Sequence, residues 1–185
     1  MGRIVVTEFI TLDGVVEDPG GSEGTPYGGW AFKFERGAEG DAFKYDETMS
    51  ADAMLLGRVT YEGFAAAWPG RSGDEFSDRF NSMPKFVVSG TLTDPSWENT
   101  KVISLADVEG VRDEAGELLV HGSVQLVRAL VERDLVDSLR LMVFPFLAGG
   151  GKRLLGDTGV QRSLRLDAVA SAGETVTAVY ERPRA

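Results

Sequence analysis

Residues 118–155 read LLVHGSVQLVRALVERDLVDSLRLMVFPFLAGGGKRLL, and the fold is decided in this stretch. Glu117–Val120 is a short apolar run of strand length. From Ser123 to Arg133, the residues Val124, Val127, Leu130 and Val131 recur at helical spacing, which predicts a helix with one buried face. Asp137–Phe144 is strand-like again and is the longest strand candidate in the chain. A strand, a helix and a second strand joined by short turns place two parallel strands in one sheet with the helix across its face.

The same alternation extends in both directions. Arg3–Phe9 (RIVVTEF) has the β-branched content of a strand. A helix is expected over Ala31–Ser50, although Gly37 and Gly40 weaken its first half. Ala53–Leu56 reads as a buried strand, followed by a helix from about Arg58 that ends before Pro69. Lys85–Ser89 and Lys101–Ile103 are strands, and Leu105–Glu114 is a short helix. Ser163–Leu166 and Glu174–Glu181 close the chain with no helix between them, which predicts an antiparallel edge. The expected architecture is three-layer α/β/α: one mixed sheet, mostly parallel, with helices on both faces and an antiparallel C-terminal edge. The 185 residues suit one domain spanning 1–185.

Composition narrows the function. With 43% apolar and 26% charged residues the chain is globular. Cysteine is absent, which rules out disulfides, thiolate metal sites and cysteine nucleophiles and suits a reducing cytoplasm. No metal site is expected. The N-terminal run is broken by Thr7 and Glu8 and has no small-residue cleavage site, unlike a signal peptide. No stretch is apolar enough to span a bilayer. A formal net charge of −10 opposes binding to nucleic acid or acidic membranes, so any anionic ligand must be held by a local pocket.

Three strand-to-helix junctions share that capacity: Leu56-Gly57-Arg58-Val59-Thr60, Val88-Ser89-Gly90-Thr91 and Val120-His121-Gly122-Ser123. In open α/β sheets ligands sit at the carboxyl ends of strands, where helix N-termini present free N–H groups and a positive dipole end. Glycine admits a close phosphate, Ser and Thr add hydrogen bonds, and Arg58 offers a forked cation. Three such turns on one edge suit an extended ligand with several phosphates. Each turn alone is more simply read as ordinary turn geometry, and Arg58 alone as a solvated surface residue; none matches a dinucleotide or P-loop signature. His121, the only histidine, lies between a strand and a helix, where a structural role is the simpler reading. Asp41, Asp46 and Glu47 share one helix, and their spacing selects none of them. Trp30, Phe32, Phe34 and Phe43 suit core packing before they suit stacking on a ligand.

Four segments carry a family resemblance: EFITLDGVVEDPG (8–20), ADAMLLGRVTYEGFAAAWP (51–69), KFVVSGTL (85–92) and residues 118–155. They resemble, in family order, the dihydrofolate-reductase superfamily, in the branch related to the reductase domain of bacterial riboflavin biosynthesis. The resemblance implies a dihydrofolate-reductase-like fold, NADPH as cofactor and a homodimer. It implies that Gly57, Arg58 and Thr60 meet the phosphates, with Arg58 near the adenosine 2′-phosphate. Ser89 and Gly90 would flank the adenosine ribose, and Gly122, Ser123 and Val124 would cradle the pyrophosphate.

Asp13 lies in TLDG, which resembles the S-x-D-G that faces substrate in the riboflavin-pathway reductases. It is thus a candidate substrate contact or proton donor, although Asp13-Gly14 also reads as a plain turn. Those enzymes usually continue with lysine where this chain has Val15. The expected activity is reduction of a small flat nitrogen heterocycle, pteridine-like or pyrimidine-like, with the proton drawn from solvent or Asp13. The alternatives are the riboflavin-pathway reductase proper, acting without a deaminase domain, and a non-catalytic nucleotide-binding or sensor module. The glycine-rich segment Asp13–Gly29 has few obvious core anchors and is expected to be a mobile flap.

Overall fold

A computed structural model describes residues 2–156 and 159–183. Eight strands form one sheet in the order β4-β3-β2-β5-β1-β6-β8-β7. They are β1 (Arg3–Thr11), β2 (Ala53–Gly57), β3 (Lys85–Val88), β4 (Thr100–Ile103), β5 (Glu117–Val120), β6 (Ser138–Phe144), β7 (Arg165–Ala172) and β8 (Thr175–Glu181). The first six pair in parallel, and β8 runs antiparallel to both β6 and β7. This is the mixed sheet with an antiparallel C-terminal edge that the sequence predicts.

The helices are α1 (Gly37–Ser50), α2 (Arg58–Ala67), α3 (Glu75–Ser82), α4 (Val108–Ala115) and α5 (Val124–Glu132). Strand residues alternate between the two faces. Ile4, Val6, Leu55, Leu118 and Val120 pack with Val108 and Val111 of α4 and Leu126, Val127 and Leu130 of α5. On the other face, Met54, Leu56 and Val87 pack with Tyr61 of α2, Phe80 of α3 and Trp97. The parallel part of the sheet is covered on both sides, as parallel strands require.

Four expectations are adjusted. The helix expected over Ala31–Ser50 is two elements, a 3₁₀ turn at Ala31–Lys33 and then α1, because Phe34 is extended (φ −128°, ψ 142°). Helix α3 was not foreseen. Its signals are local: the Asp74 carboxylate accepts from Ser77 N at 2.9 Å, and Phe76 and Phe80 share a face with ring centroids 5.7 Å apart. Strand β7 extends to Ala172, because the ladder with β8 recruits an alanine-rich segment of weak intrinsic preference.

The segment Asp13–Gly29 is also better anchored than its composition suggests. Val15, Val16 and Asp18 are buried, as is the neighbouring Trp30. The Asp18 carboxylate accepts from Glu23 N and Thr25 N, while its carbonyl accepts from Gly21 N and Gly29 N. One buried acid gathers the loop around itself, which glycine and proline counts cannot reveal.

Candidate functional site

The carboxyl ends of β2, β3 and β5 border a cleft of about 290 Å³. Gly57, Arg58 and Val59 line it from the β2–α2 turn, Ser89, Gly90 and Thr91 from the end of β3, and Ser123, Gln125 and Leu126 from the start of α5. Five of the eight residues expected to hold a cofactor thus share one cavity wall: Gly57, Arg58, Ser89, Gly90 and Ser123. The other three, Thr60, Gly122 and Val124, do not line it but belong to the two turns that border it. Gly122 O accepts from Gly57 N at 3.0 Å, Thr60 Oγ1 lies beside the Gly122 Cα, and Val124 opens α5.

Glycine is required at two of these positions. A carbon added to Gly57 would lie 2.2 Å from Ser123 Oγ, well inside contact distance. Gly122 has φ +107°, a conformation that side chains strain, and it joins Ser123 through a cis peptide bond.

The chemistry of the cleft suits anions. Ser123 makes no side-chain cap to α5, whose first turn carries no acidic residue. The first N–H groups of α5 are therefore free to meet a ligand at the positive end of the helix dipole. Ser89 Oγ accepts from Thr91 N at 3.1 Å and Leu92 N at 3.0 Å and lies 3.5 Å from Thr91 Oγ1, a long contact that either hydroxyl can give up to a ligand. Arg58 Nη1 donates to both carboxylate oxygens of Glu62 at 2.9 Å. That pair is solvent-exposed, so Arg58 exchanges it at little cost.

Asp13 is tied into a turn. Its carboxylate accepts from Thr11 Oγ1 at 2.6 Å, Ala148 N at 3.1 Å and Gly149 N at 2.9 Å. These bonds, the Thr11 hydroxyl foremost, hold its carboxyl down at about 2. A carboxylate with such partners is a weak proton donor, and its observed work is to fasten the TLDG turn to the loop after β6. Val15, next in the turn, is fully buried and forms a bridge with Arg153.

A second group of polar residues joins β1 to α1. Thr7 Oγ1 donates to Glu47 at 2.8 Å and accepts from Lys44 Nζ at 2.8 Å, and Lys44 pairs with Glu47. The structure thus separates the three acids of α1: Glu47 is buried against β1, Asp41 pairs with Arg36 and Asp46 is exposed. His121 packs edge-on to Phe64 and Phe80, with Nε2 buried and unpartnered. Burial, with Lys44 adding to it, holds its basicity well below the ordinary histidine range.

Glu8, in the segment EFITLDG, was not among the residues singled out from the sequence. Its Oε1 is sealed from solvent without a hydrogen-bond partner. The available signal was a glutamate in the interior of a largely apolar strand.

The aromatics divide. Trp30 is fully buried and meets Phe144 edge-on at 5.2 Å, Phe34 and Phe43 pack around the same core, and Phe32 is exposed. A second cavity of about 530 Å³ opens over Phe9, Phe34, Phe144 and Arg36. Among the described residues no cluster of metal-ligating side chains occurs, and no helix is long and apolar enough to cross a membrane.

Residues 3–178 match the family model described as the RibD C-terminal domain. None of the curated proteins matches the sequence. Among solved structures, the chain is similar to a putative riboflavin biosynthesis protein from Shewanella sp. PV-4, with 22% identity and a TM-score of 0.76 over 98% of this chain and 99% of that one. It is similar to a pyrimidine reductase-like protein from Corynebacterium diphtheriae, with 13% identity and a TM-score of 0.63 over 100% and 93%. It is also similar to a diaminohydroxyphosphoribosylaminopyrimidine deaminase/5-amino-6-(5-phosphoribosylamino)uracil reductase from Thermotoga maritima. There the identity is 16% and the TM-score 0.63, over 98% of this chain and 57% of that one. These likenesses carry the fold, which is dihydrofolate-reductase-like.

Proposed function

Because the chain belongs to the RibD C-terminal domain family, we propose that it is an NADPH-dependent reductase of a small, flat nitrogen heterocycle. The pyrimidine class leads and the pteridine class follows, since pyrimidine reductases recur among the proteins it resembles. One observation carries the reading. A forked cation (Arg58), a hydroxyl at the end of β3 (Ser89) and an uncapped helix N-terminus (α5) converge on one cleft across the ends of β3, β2 and β5.

These groups fit a phosphorylated dinucleotide. Arg58 and Ser89 would take the 2′-phosphate, Gly57 and Gly122 would let the backbone approach closely, and the α5 N–H groups would hold the pyrophosphate. NADPH, when bound, supplies the hydride. The chain binds, orients and excludes water. With a net charge of −10, the local donors must outweigh a repulsive global field.

The assembly we propose is a homodimer of one-domain subunits acting in the cytoplasm. Leu166 and Val169 on the edge strand β7 are more than half exposed, an apolar edge that a second copy would cover. Light scattering should give twice the 20.0 kDa chain mass.

The reading is tested by titrating NADPH and NADH into the protein, then following NADPH oxidation with ribosylaminopyrimidine phosphates and pteridines. Tighter binding of NADPH with turnover of one class supports it. Binding without any turnover would favour a sensor module, and no binding of either nucleotide would end the reductase reading.

A further inference from the structure

The sheet parts at its centre. Strand β1 pairs with β5 only as far as Val6, opposite Val120, but stays paired with β6 to Thr11. Beyond Val6 the β5 side of β1 has no ladder partner, because the chain leaves β5 through His121 and Gly122 into α5. Glu8 stands at this opening. A carbon added to Gly122 would lie 3.6 Å from Glu8 Oε1 and 3.0 Å from Thr60 Oγ1. Glu8 is therefore next to the turn whose following residue, Ser123, lines the cleft.

Glu8 is half-buried as a residue, with only Oε1 sealed, and a sealed carboxylate oxygen without a donor is costly when ionised. Burial accordingly pushes the Glu8 carboxyl up to about 8, with Lys44 opposing the rise and Glu47 adding to it. The two charged groups that act on it pair with each other, and His121, in the turn next to Gly122, is kept neutral by burial. None of them donates to Glu8 Oε1.

We propose that Glu8 is the acid of the reductive site, giving its proton to the nitrogen of a substrate C=N bond. The inference rests on the reductase reading above. The anion-holding groups lie at the ends of β3, β2 and β5, and the next strand in the sheet is β1. From β3 to β1 is three strand spacings, about 14 Å. An extended dinucleotide spanning that distance along the strand ends would bring its phosphate-free end to Glu8. A reduced nicotinamide is the electron donor, and its hydride goes to the carbon of the C=N bond. The Glu8 O–H bond breaks and leaves its electron pair on the carboxylate, while the π pair of C=N forms the new N–H bond. Glu8 gains a negative charge as the nicotinamide gains a positive one, so each stabilises the other where water is scarce. Solvent returns the proton to Glu8 afterwards.

The test is the affinity of NADP⁺ between pH 6 and 9, by calorimetry, for the native chain and Glu8→Gln. An adjacent nicotinamide cation favours the ionised carboxyl, so native affinity should rise with pH by about tenfold for a one-unit drop in the Glu8 pKa. Glu8→Gln should lose that rise, and the titration of the ligand's own phosphate is common to both proteins. Carbon-13 spectra of glutamate-labelled native protein give an independent reading that does not depend on the variant. One carboxyl should titrate near pH 8, and its midpoint should fall when NADP⁺ binds. Equal pH dependence in the two proteins, or no fall in that midpoint while NADP⁺ binds, overturns the role of Glu8 and leaves the reductase reading standing. Failure of both NADPH and NADP⁺ to bind at any pH overturns both.

Discussion

Gly57 and Ser123 meet with no space between them: a carbon added to Gly57 would lie 2.2 Å from Ser123 Oγ and 2.8 Å from Ser123 N. Their main chains are tied as well, through the bond from Gly57 N to Gly122 O. The β2–α2 and β5–α5 turns are therefore one unit, and the cleft keeps its shape only while they stay together. Gly57→Ala should destabilise the fold by about 1–3 kcal/mol, the usual cost of overpacking, and weaken NADPH binding. Adding Ser123→Gly should recover part of the loss, because the backbone contact at Ser123 N remains. Thermal unfolding of the three proteins measures both effects.

Arg58 and Glu62 form an exposed pair four residues apart on α2, so the arginine is held where it can still swing to a phosphate. Arg58→Ala should weaken NADPH by about 1.5–3 kcal/mol, as for a hydrogen bond to a charged group, and NADH far less. Glu62→Gln should tighten NADPH by removing the competing acceptor and a nearby negative charge. Parallel titrations with the two nucleotides decide it. Equal losses for both in Arg58→Ala would take the arginine off the 2′-phosphate.

Asp13 predicts an acid-dependent stability. Its carboxyl lies at about 2 in the folded chain, below the ordinary value of 3.8. A depressed carboxylate contributes stability that is present above the unfolded value and lost as pH falls through the folded one. Asp13→Asn should thus lower the melting temperature at pH 7, and its gap from the native protein should close between pH 4 and pH 2. Melting curves across that range check it. A gap that persists at pH 2 would mean that shape, and not charge, makes the anchor.

Asp18 organises the loop after β1 through bonds to the amides of Glu23 and Thr25. These two amides should exchange slowly before any ligand is added, and Asp18→Ala should make them fast. A flap that closes over a substrate would move as this tied unit, and its amides would slow further only with NADPH and a substrate analogue together. Hydrogen exchange resolved by residue tells these cases apart.

Much of this was legible in the chain alone. Val124, Val127, Leu130 and Val131 set the α5 face by spacing, and the β-branched runs around it give strands whose alternation dictates a parallel sheet. The three glycine-bearing junctions are legible for the same local reason: turn chemistry is written in adjacent residues. What needed the tertiary structure is everything set by partners distant in sequence. The end of the Thr7–Glu47 bond, the seal over Glu8 Oε1 and the grip of Asp13 on Ala148 and Gly149 join residues tens of positions or more apart. Sequence marks such side chains as charged, but a carboxyl becomes an anchor or an acid by which donors reach it. That is why Asp13, conspicuous in its motif, proves to be fully hydrogen-bonded, and Glu8, inconspicuous in a strand, has an oxygen with no partner. Solvent access and hydrogen-bond supply are properties of the packed chain, and no local pattern encodes them.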